Sequence, residues 1–307
     1  MSVKSIISAL VDKMYVKQWS VALAYGTPEE VLENGINQLQ FKWIPIDDHA
    51  RFLADPFIIR KSNGEVILFC EDFHYMEQYG KITAFLLNDQ FEVMKTNVIL
   101  DTGSHLSYPA VYHFEGKYFL IPESGMANEL VAHELNLEEL SIVSSQVIHT
   151  GEPLLDATIL SKDNGYWLFA TKRGVGSNSE LYLYYSTQWQ GPYQQVGTSS
   201  VANNLSGSRP AGHFFEVNGK VYRPTQNSLE YYGKSIIIKD LQELSKIEFK
   251  EKFTKELKPE VKSRYNIAIH TINFSNGVIV VDGLRRYFNP FKQLVYLLQK
   301  RRKIRKR

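Results

Sequence analysis

The stretch Asp55-Pro56-Phe57-Ile58-Ile59, followed by the turn Asn63-Gly64 and then by Glu65-Val66-Ile67-Leu68-Phe69-Cys70-Glu71, sets the pattern for the whole chain. A polar residue opens an apolar run, a Gly-containing turn reverses it, and a second apolar run ends on a polar residue. An X-Gly pair between two apolar runs marks a tight hairpin, because such a turn needs the positive φ that Asn and Gly tolerate. Four more copies follow. Ser107-Tyr108-Pro109-Ala110-Val111 turns at Glu115-Gly116 and ends at Glu123; Asp156-Ala157-Thr158-Ile159-Leu160 turns at Asn164-Gly165 and ends at Lys172 and Arg173. Arg209-Pro210-Ala211-Gly212 turns at Asn218-Gly219 and ends at Gln226; His270-Thr271-Ile272 turns at Asn276-Gly277 and ends at Asp282. The turn glycines Gly64, Gly116, Gly165, Gly219 and Gly277 stand 52, 49, 54 and 58 positions apart. Self-similarity at this period predicts a β-propeller.

Strand-like stretches such as Gly80 to Leu87 and Glu180 to Ser186 follow the hairpins, giving about four strands per repeat, the content of a propeller blade. The expected architecture is therefore all-β: a five-bladed propeller over residues 1–286, with a short basic amphipathic tail over 287–307. Ser20 to Tyr25 is expected to close the ring by joining the last blade. A short helix is expected at Thr27-Pro28-Glu29-Glu30, with Thr27 as cap, Pro28 at the first helical position and the acids at the positive helix end.

At 307 residues, with 44% hydrophobic and 22% charged content, the chain can bury a large core and matches an ordinary globular composition. Cys70 is its one cysteine, so no intrachain disulfide can form. The apolar run Ile6 to Val11 is short and meets Asp12-Lys13 without a small-residue cleavage pattern, so no signal peptide is expected; no segment is long enough to span a bilayer. The net charge of +2 conceals a basic end, Arg285-Arg286 and then Lys300-Arg301-Arg302-Lys303-Ile304-Arg305-Lys306-Arg307. The apolar and aromatic prelude from Tyr287 to Leu298 favours an anionic membrane surface over nucleic acid or a solvated tail, and so a cytoplasmic protein peripheral to the inner face of the membrane.

Inner strands of a propeller surround a central channel, so the polar ends of the repeats are expected to converge there. Asp55, Glu123 and Asp156 suit divided acid and base roles of the kind glycoside chemistry uses. The competing reading is that they cap strands. Arg209, with Arg173 and Arg223, suits a bidentate clamp on phosphate or carboxylate; alternatively Arg209 neutralises the acids around it. His105 and His270 are candidate proton carriers or hydroxyl-binding groups, and Gln226, Glu71 and Asp282 are further polar strand ends. No His-x-His or Cys-x-x-Cys pair gives a transition-metal signature, so no metal is expected. Gly174 and Gly176 fit neither a phosphate loop nor a dinucleotide motif, and Ser104, Ser107 and Ser124 lack a nucleophile-elbow context.

The ordered series Ala54-Asp55-Pro56-Phe57, His105-Leu106-Ser107-Tyr108-Pro109, Ile121-Pro122-Glu123-Ser124, Asp156-Ala157-Thr158-Ile159, Gly191-Pro192-Tyr193, Ser208-Arg209-Pro210-Ala211-Gly212, Arg223-Pro224-Thr225-Gln226, Tyr232-Gly233 and His270-Thr271 resembles the N-terminal domain of glucosamine inositolphosphorylceramide transferases. Similar domains occur in bacterial surface-polysaccharide gene clusters. The resemblance covers about residues 19 to 284. It implies a fold related to the five-bladed propellers of glycoside hydrolase families 43 and 32, whose first-blade and third-blade Asp match Asp55 and Asp156. The general acid of those hydrolases is a Glu that follows the third-blade Asp, whereas Glu123 precedes it. The implied function is a glycosyltransferase or related sugar-transfer enzyme of envelope polysaccharide or glycolipid biosynthesis, with a nucleotide-sugar donor, a carbohydrate or glycolipid substrate, and partner polysaccharide-biosynthesis enzymes. The alternatives are a family 43-like hydrolase with Asp55 as base, or a non-catalytic glycan-binding module that assists a partner transferase.

Overall fold

The computed structural model describes residues 14–46, 50–124 and 127–289. Among them the five repeats form five antiparallel sheets, one per blade. The first blade pairs Arg51–Arg60, Val66–His74, Tyr79–Leu87 and Val93–Leu100 in succession, and the second pairs Leu106–Phe114, Lys117–Ser124, Glu129–Asn136 and Ser141–Thr150. The third runs Leu154–Lys162, Gly165–Lys172, Glu180–Ser186 and Gln194–Gln195, and the fourth Ser206–Pro210, Lys220–Asn227, Ser235–Leu244 and Phe249–Leu257. In the fourth, the first strand of the hairpin is broken, and Phe215–Val217 pairs with the far half of Lys220–Asn227.

The fifth blade is assembled from both ends of the chain. Ile272–Ser275 and Val278–Phe288 are followed in space by Tyr15–Tyr25 and Lys42–Trp43. The closing strand is longer than the expected Ser20 to Tyr25, running in unbroken register from Tyr15 opposite Phe288 to Tyr25 opposite Val278. Tyr287 and Phe288 are therefore ladder residues, and the propeller extends past the boundary expected at Arg286. The basic run from Lys300 to Arg307 lies outside the described residues. The expected helix is Pro28–Asn34, where Thr27 and Glu30 form a reciprocal capping box.

The apolar core is distributed between the blades. Five buried clusters correspond to the five blade interfaces: Ile67, Phe69 and Leu120 lie between the first and second, and Tyr112, Leu168 and Trp189 between the second and third. Phe169 and Leu183 pack on Phe214 and Phe249 between the third and fourth, and Ile236 and Ile238 on Ile272 and Ile279 between the fourth and fifth. Val21, Leu23 and Val280 meet Leu53 and Leu68 where the ring closes. Since no blade buries both of its faces alone, closure is needed to complete the first and last interfaces.

The inner strands share a distortion that aims the site. Pairing slips between Ala54 and Phe57, between Ser107 and Ala110, and between Leu155 and Thr158. In each gap one residue takes a left-handed backbone, Asp55 at φ 51°, Tyr108 at φ 45° and Asp156 at φ 50°. Bulges re-aim side chains at sheet rims, and non-Gly residues in this region are uncommon. Three blades thus turn the side chain at one equivalent position.

Leu23→Ala should lose about 2–5 kcal/mol of unfolding free energy, as a buried core truncation does, and Leu68→Ala on the facing blade should lose a similar amount. Chemical denaturation checks this; a loss under about 1 kcal/mol for Leu23 alone would show that the N-terminal strand is dispensable to the core.

Candidate functional site

The bulges place a crowd of carboxyl groups at one end of the channel. Asp55, Glu71, Glu123, Asp156 and Asp282 are all buried, at 1–6% exposure. Several of them hold backbone amides of the next blade. The Asp55 N–H donates to Asp282 Oδ2 at 3.2 Å, the Tyr108 N–H to Asp55 Oδ2 at 3.3 Å, and the Asp156 N–H to Glu123 Oε2 at 3.1 Å. Asp282 Oδ1 accepts from the N–H groups of His270 and Thr271 at 2.8 and 3.1 Å, and the Thr271 hydroxyl donates to Asp55 Oδ1 at 2.9 Å. The Tyr108 hydroxyl extends the stitching to the fourth blade by accepting the Gly212 N–H at 2.8 Å.

Two cations sit among the acids. Arg209 Nε and Nη2 engage the two oxygens of Asp156 at 2.5 and 3.2 Å, Nη1 donates to Asn178, and Glu123 Oε2 lies 3.8 Å from Nη2. His270 Nδ1 stands 2.5 Å from Asp282 Oδ2 while Nε2 faces Asp55 Oδ1 at 3.6 Å. Trp19 stacks on the His270 ring at 4.1 Å, and the Tyr232 edge meets it at 5.4 Å. Gln226 donates to Asp156 Oδ2 at 2.8 Å and leaves its own Oε1 without a donor among the described residues. Asp55, His270 and Asp282 bring donor atoms within 4.8 Å of one another, the dimension of a cation site. His270 and Asp282 in this group also form an ion pair.

Burial and mutual repulsion spread the acidities. Burial pushes Asp55 up to about 6 despite the pull of His270, with Asp156 and Asp282 adding to the rise. Burial and then Asp156 push Glu123 up to about 8, with Arg209 offsetting part of it. Glu71 is held well above the carboxylate range by burial and by the charges of Asp55 and Glu123. Burial opposes charge on His270, but Asp282 and Asp55 outweigh it and hold the ring at about 9. The cluster therefore spreads its carboxyl groups over different acidities, a separation that permits distinct acid and base roles.

Most of the residues expected at the site meet there: Asp55, Glu71, Glu123, Asp156, Arg209, Gln226 and His270 join the cluster, with His105 beside Glu71 at 3.8 Å. Arg223 does not. It is fully buried within the fourth blade, with Nε 2.5 Å from Glu251 and its other nitrogens on the carbonyls of Gly207 and Ser208. Arg173 is exposed and reaches the site only as a charge near His105. Arg223 thus falls outside the expected clamp, since it grips Glu251, while Arg209 grips Asp156 as its neutralising alternative describes. The structure adds Tyr108, Trp19, Tyr232 and Thr271. Tyr108 was identifiable in sequence, because it occupies the place of Asp55 and Asp156 in the second copy.

The family described as "Glucosamine inositolphosphorylceramide transferase 1, N-terminal" matches residues 45–272. Glucosamine inositolphosphorylceramide transferase 1 of Oryza sativa subsp. japonica is 29% identical over 208 residues, 66% of this chain and 28% of that protein. The Arabidopsis thaliana protein of the same name is 30% identical over 208 residues, 66% of this chain and 27% of its own length. The chain thus spans little more than a quarter of these relatives. Among solved structures, an α-L-arabinofuranosidase from Podospora anserina superposes with TM-score 0.56 at 12% identity, over 76% of this chain and 81% of that one. A family 43 β-xylosidase/α-arabinofuranosidase from a compost metagenome gives TM-score 0.53 at 16% identity, over 78% and 91% of the two chains. These likenesses establish the shared five-bladed fold.

The pH dependence of stability follows from the raised acidities. Asp55, Glu123 and His270 start from 3.8, 4.5 and 6.5 and rise to about 6, 8 and 9 in the fold. Each group's contribution is complete below the lower value and lost as pH climbs through the higher one. The melting temperature should therefore fall from about pH 5 to about pH 9, and Glu123→Gln should flatten the middle of that decline. A wild-type Tm that rises across this interval would contradict the acidities assigned here.

Proposed function

The chain belongs to the family of the glucosamine inositolphosphorylceramide transferase 1 N-terminal domain, and from that membership we propose that the channel mouth binds a glycan and transfers a sugar from it. The supporting observation is one buried cluster of Asp55, Glu71, Glu123, Asp156 and Asp282 at the channel end, in which burial and mutual repulsion raise Asp55 to about 6 and Glu123 to about 8 and hold Glu71 well above the carboxylate range. Asp55 takes the proton of the acceptor hydroxyl as it attacks the anomeric carbon, and neutral Glu123 donates a hydrogen bond to a sugar oxygen. Trp19, stacked on His270, and the exposed Tyr232, with Arg209 over its ring, add aromatic surface beside the cluster against which a sugar can pack.

The charge balance favours one class of donor. Five carboxyl groups share the cluster with two cations, and both cations are already paired. Such a site opposes a nucleotide diphosphate and suits a neutral or amino sugar carried on another glycan or on a lipid-linked glycan. The relatives' name includes glucosamine, whose ammonium form complements an acidic pocket. A role in envelope-glycan synthesis, with partner enzymes of that pathway, rests on the sequence resemblance alone. A second reading, a glycan-binding module without turnover, draws support from the use of Asp55, Glu123 and Asp282 as acceptors for the neighbouring blade.

Isothermal titration against uncharged oligosaccharides, amino-sugar glycosides and nucleotide sugars, with product analysis of each mixture, separates the readings. Glycoside binding with sugar transfer is expected. Tight binding that depends on the nucleotide would overturn the donor assignment, and glycan binding without product would leave the recognition module.

Membrane placement is proposed from the apolar-then-basic order of the tail; among the described residues no helix is long and apolar enough to cross a membrane. Deletion after Asn289 spares every ladder residue among the described residues and should abolish sedimentation with anionic liposomes at unchanged Tm. Equal sedimentation of the truncated protein would remove the tail from the account.

A further inference from the structure

Glu71 holds the position in the first blade that Glu123 holds in the second: each sits across the ladder from the residue just before the bulge, Glu71 opposite Ala54 and Glu123 opposite Ser107. Yet the two carboxyl groups are employed differently. Glu123 is anchored by the Asp156 N–H and lies near Arg209. Glu71 has no hydrogen-bond partner among the described residues, although its side chain is only 8% exposed; its nearest polar neighbour is His105 Nε2, 3.8 Å from Oε1. The Glu71 oxygens are not among the sealed, unpaired side-chain atoms, so a carboxyl that is nearly buried and without a partner of its own stays open to an incoming group.

Its surroundings are built to hold it. A Cβ on Gly80 would stand 2.8 Å from Glu71 Oε1, 2.9 Å from its Cγ and 2.5 Å from the Leu106 carbonyl oxygen, so only glycine leaves room for the carboxyl. The Gly80 N–H donates to His105 Nδ1 at 3.0 Å. That bond places the proton of the neutral ring on Nε2, the nitrogen facing Glu71. The charged groups that act on Glu71 are Asp55 from the inner strand of its own blade, Glu123 from the second blade, Asp156 from the third and Asp282 from the fifth, all acidic. Burial and Arg173 keep His105 toward its neutral form.

We propose that Glu71 is the proton donor of the site, a neutral carboxylic acid that protonates the oxygen leaving the anomeric carbon, with His105 as the positioning residue that receives the carboxylate so formed. The assignment rests on the sugar-transfer reading above. The bond between the anomeric carbon and the leaving oxygen breaks with its electron pair on oxygen, which takes the Glu71 proton. The acceptor oxygen bonds to that carbon and gives its own proton to Asp55. Exchange with water then returns one proton to Glu71 and removes one from Asp55. His105 Nε2–H, too distant to bond the neutral acid, closes on the anion. Glu123 suits this role less, because its Oε2 both accepts the Asp156 N–H and stands 3.8 Å from Arg209 Nη2, a cation that favours its anion.

Infrared spectra of the full chain at neutral pH test the protonation directly. Glu71→Gln should remove one component of the protonated-carboxyl C=O band that Glu123→Gln leaves in place, and Glu71→Asp should retain such a component. A spectrum unchanged by Glu71→Gln shows an ionised Glu71 and overturns the proposal. His105→Phe should shift the titration of that component to higher pH by removing the donor that favours the anion; an unmoved midpoint overturns the positioning role. With whichever glycoside wild type turns over, Glu71→Gln should lower kcat by about 10²–10⁴-fold at unchanged Kd, and full turnover in that variant also overturns the proposal. Absence of turnover in wild type would instead sink the transfer reading, and with it the donor role, whatever the infrared result.

Discussion

A backbone N–H buried at the bulge of an inner strand must find an acceptor, and in this propeller the acceptor comes from another blade. Asp282 serves Asp55, Asp55 serves Tyr108, and Glu123 serves Asp156. Leaving one such donor unpaired would cost about 1–3 kcal/mol, so the left-handed turn at each bulge and the acid that answers it are one device. The five apolar clusters between blades supply the driving force for assembly. The carboxylates set the angle and register at which the inner strands meet.

That arrangement explains why the channel end is acidic and why the acidity has chemical consequences. Acceptors brought in for structural reasons crowd within a small buried volume, where like charges cannot all be ionised. The fold relieves the crowding in three ways: Arg209 pairs with Asp156, His270 pairs with Asp282, and the affinities of Glu123 and Glu71 for a proton are raised. The same side chains are thereby both structural and poised for proton transfer. A substitution at Asp55 or Asp156 cannot be read as purely catalytic, because each also bonds a neighbour: Asp55 the second blade, Asp156 the fourth.

The blade count, the hairpins and the closing strand were legible in the sequence because each depends on local signals, a Gly turn between apolar runs or an apolar run near a terminus. Convergence of the polar strand ends followed from the repeat itself. Pair identities were not legible. Arg209 and Arg223 look alike in sequence, each within a few residues of a strand end and next to Pro, yet one faces Asp156 across a blade interface and the other Glu251 on an outer strand. That difference arises from which face of the pleat each residue occupies after the broken strand of the fourth blade, where the regular alternation gives no guide. Trp19 escaped notice because it lies just outside the part of the closing strand that reads as apolar, in the extension that pairs with Leu284 and beyond.

The fourth blade also bears on where a proton donor can stand. In the propeller hydrolases that the sequence resembles, the general acid is a Glu that follows the third-blade Asp. Here the polar residues that the fourth blade brings to Asp156 are Arg209 and Gln226, neither able to act as a carboxylic acid, and both bonded to Asp156 itself. Asp156 is consequently saturated from that side, and Asp282 is committed to His270 and two backbone amides. The remaining carboxyl groups belong to the first two blades, where Asp55 and Glu123 each hold a backbone N–H and Glu71 holds none.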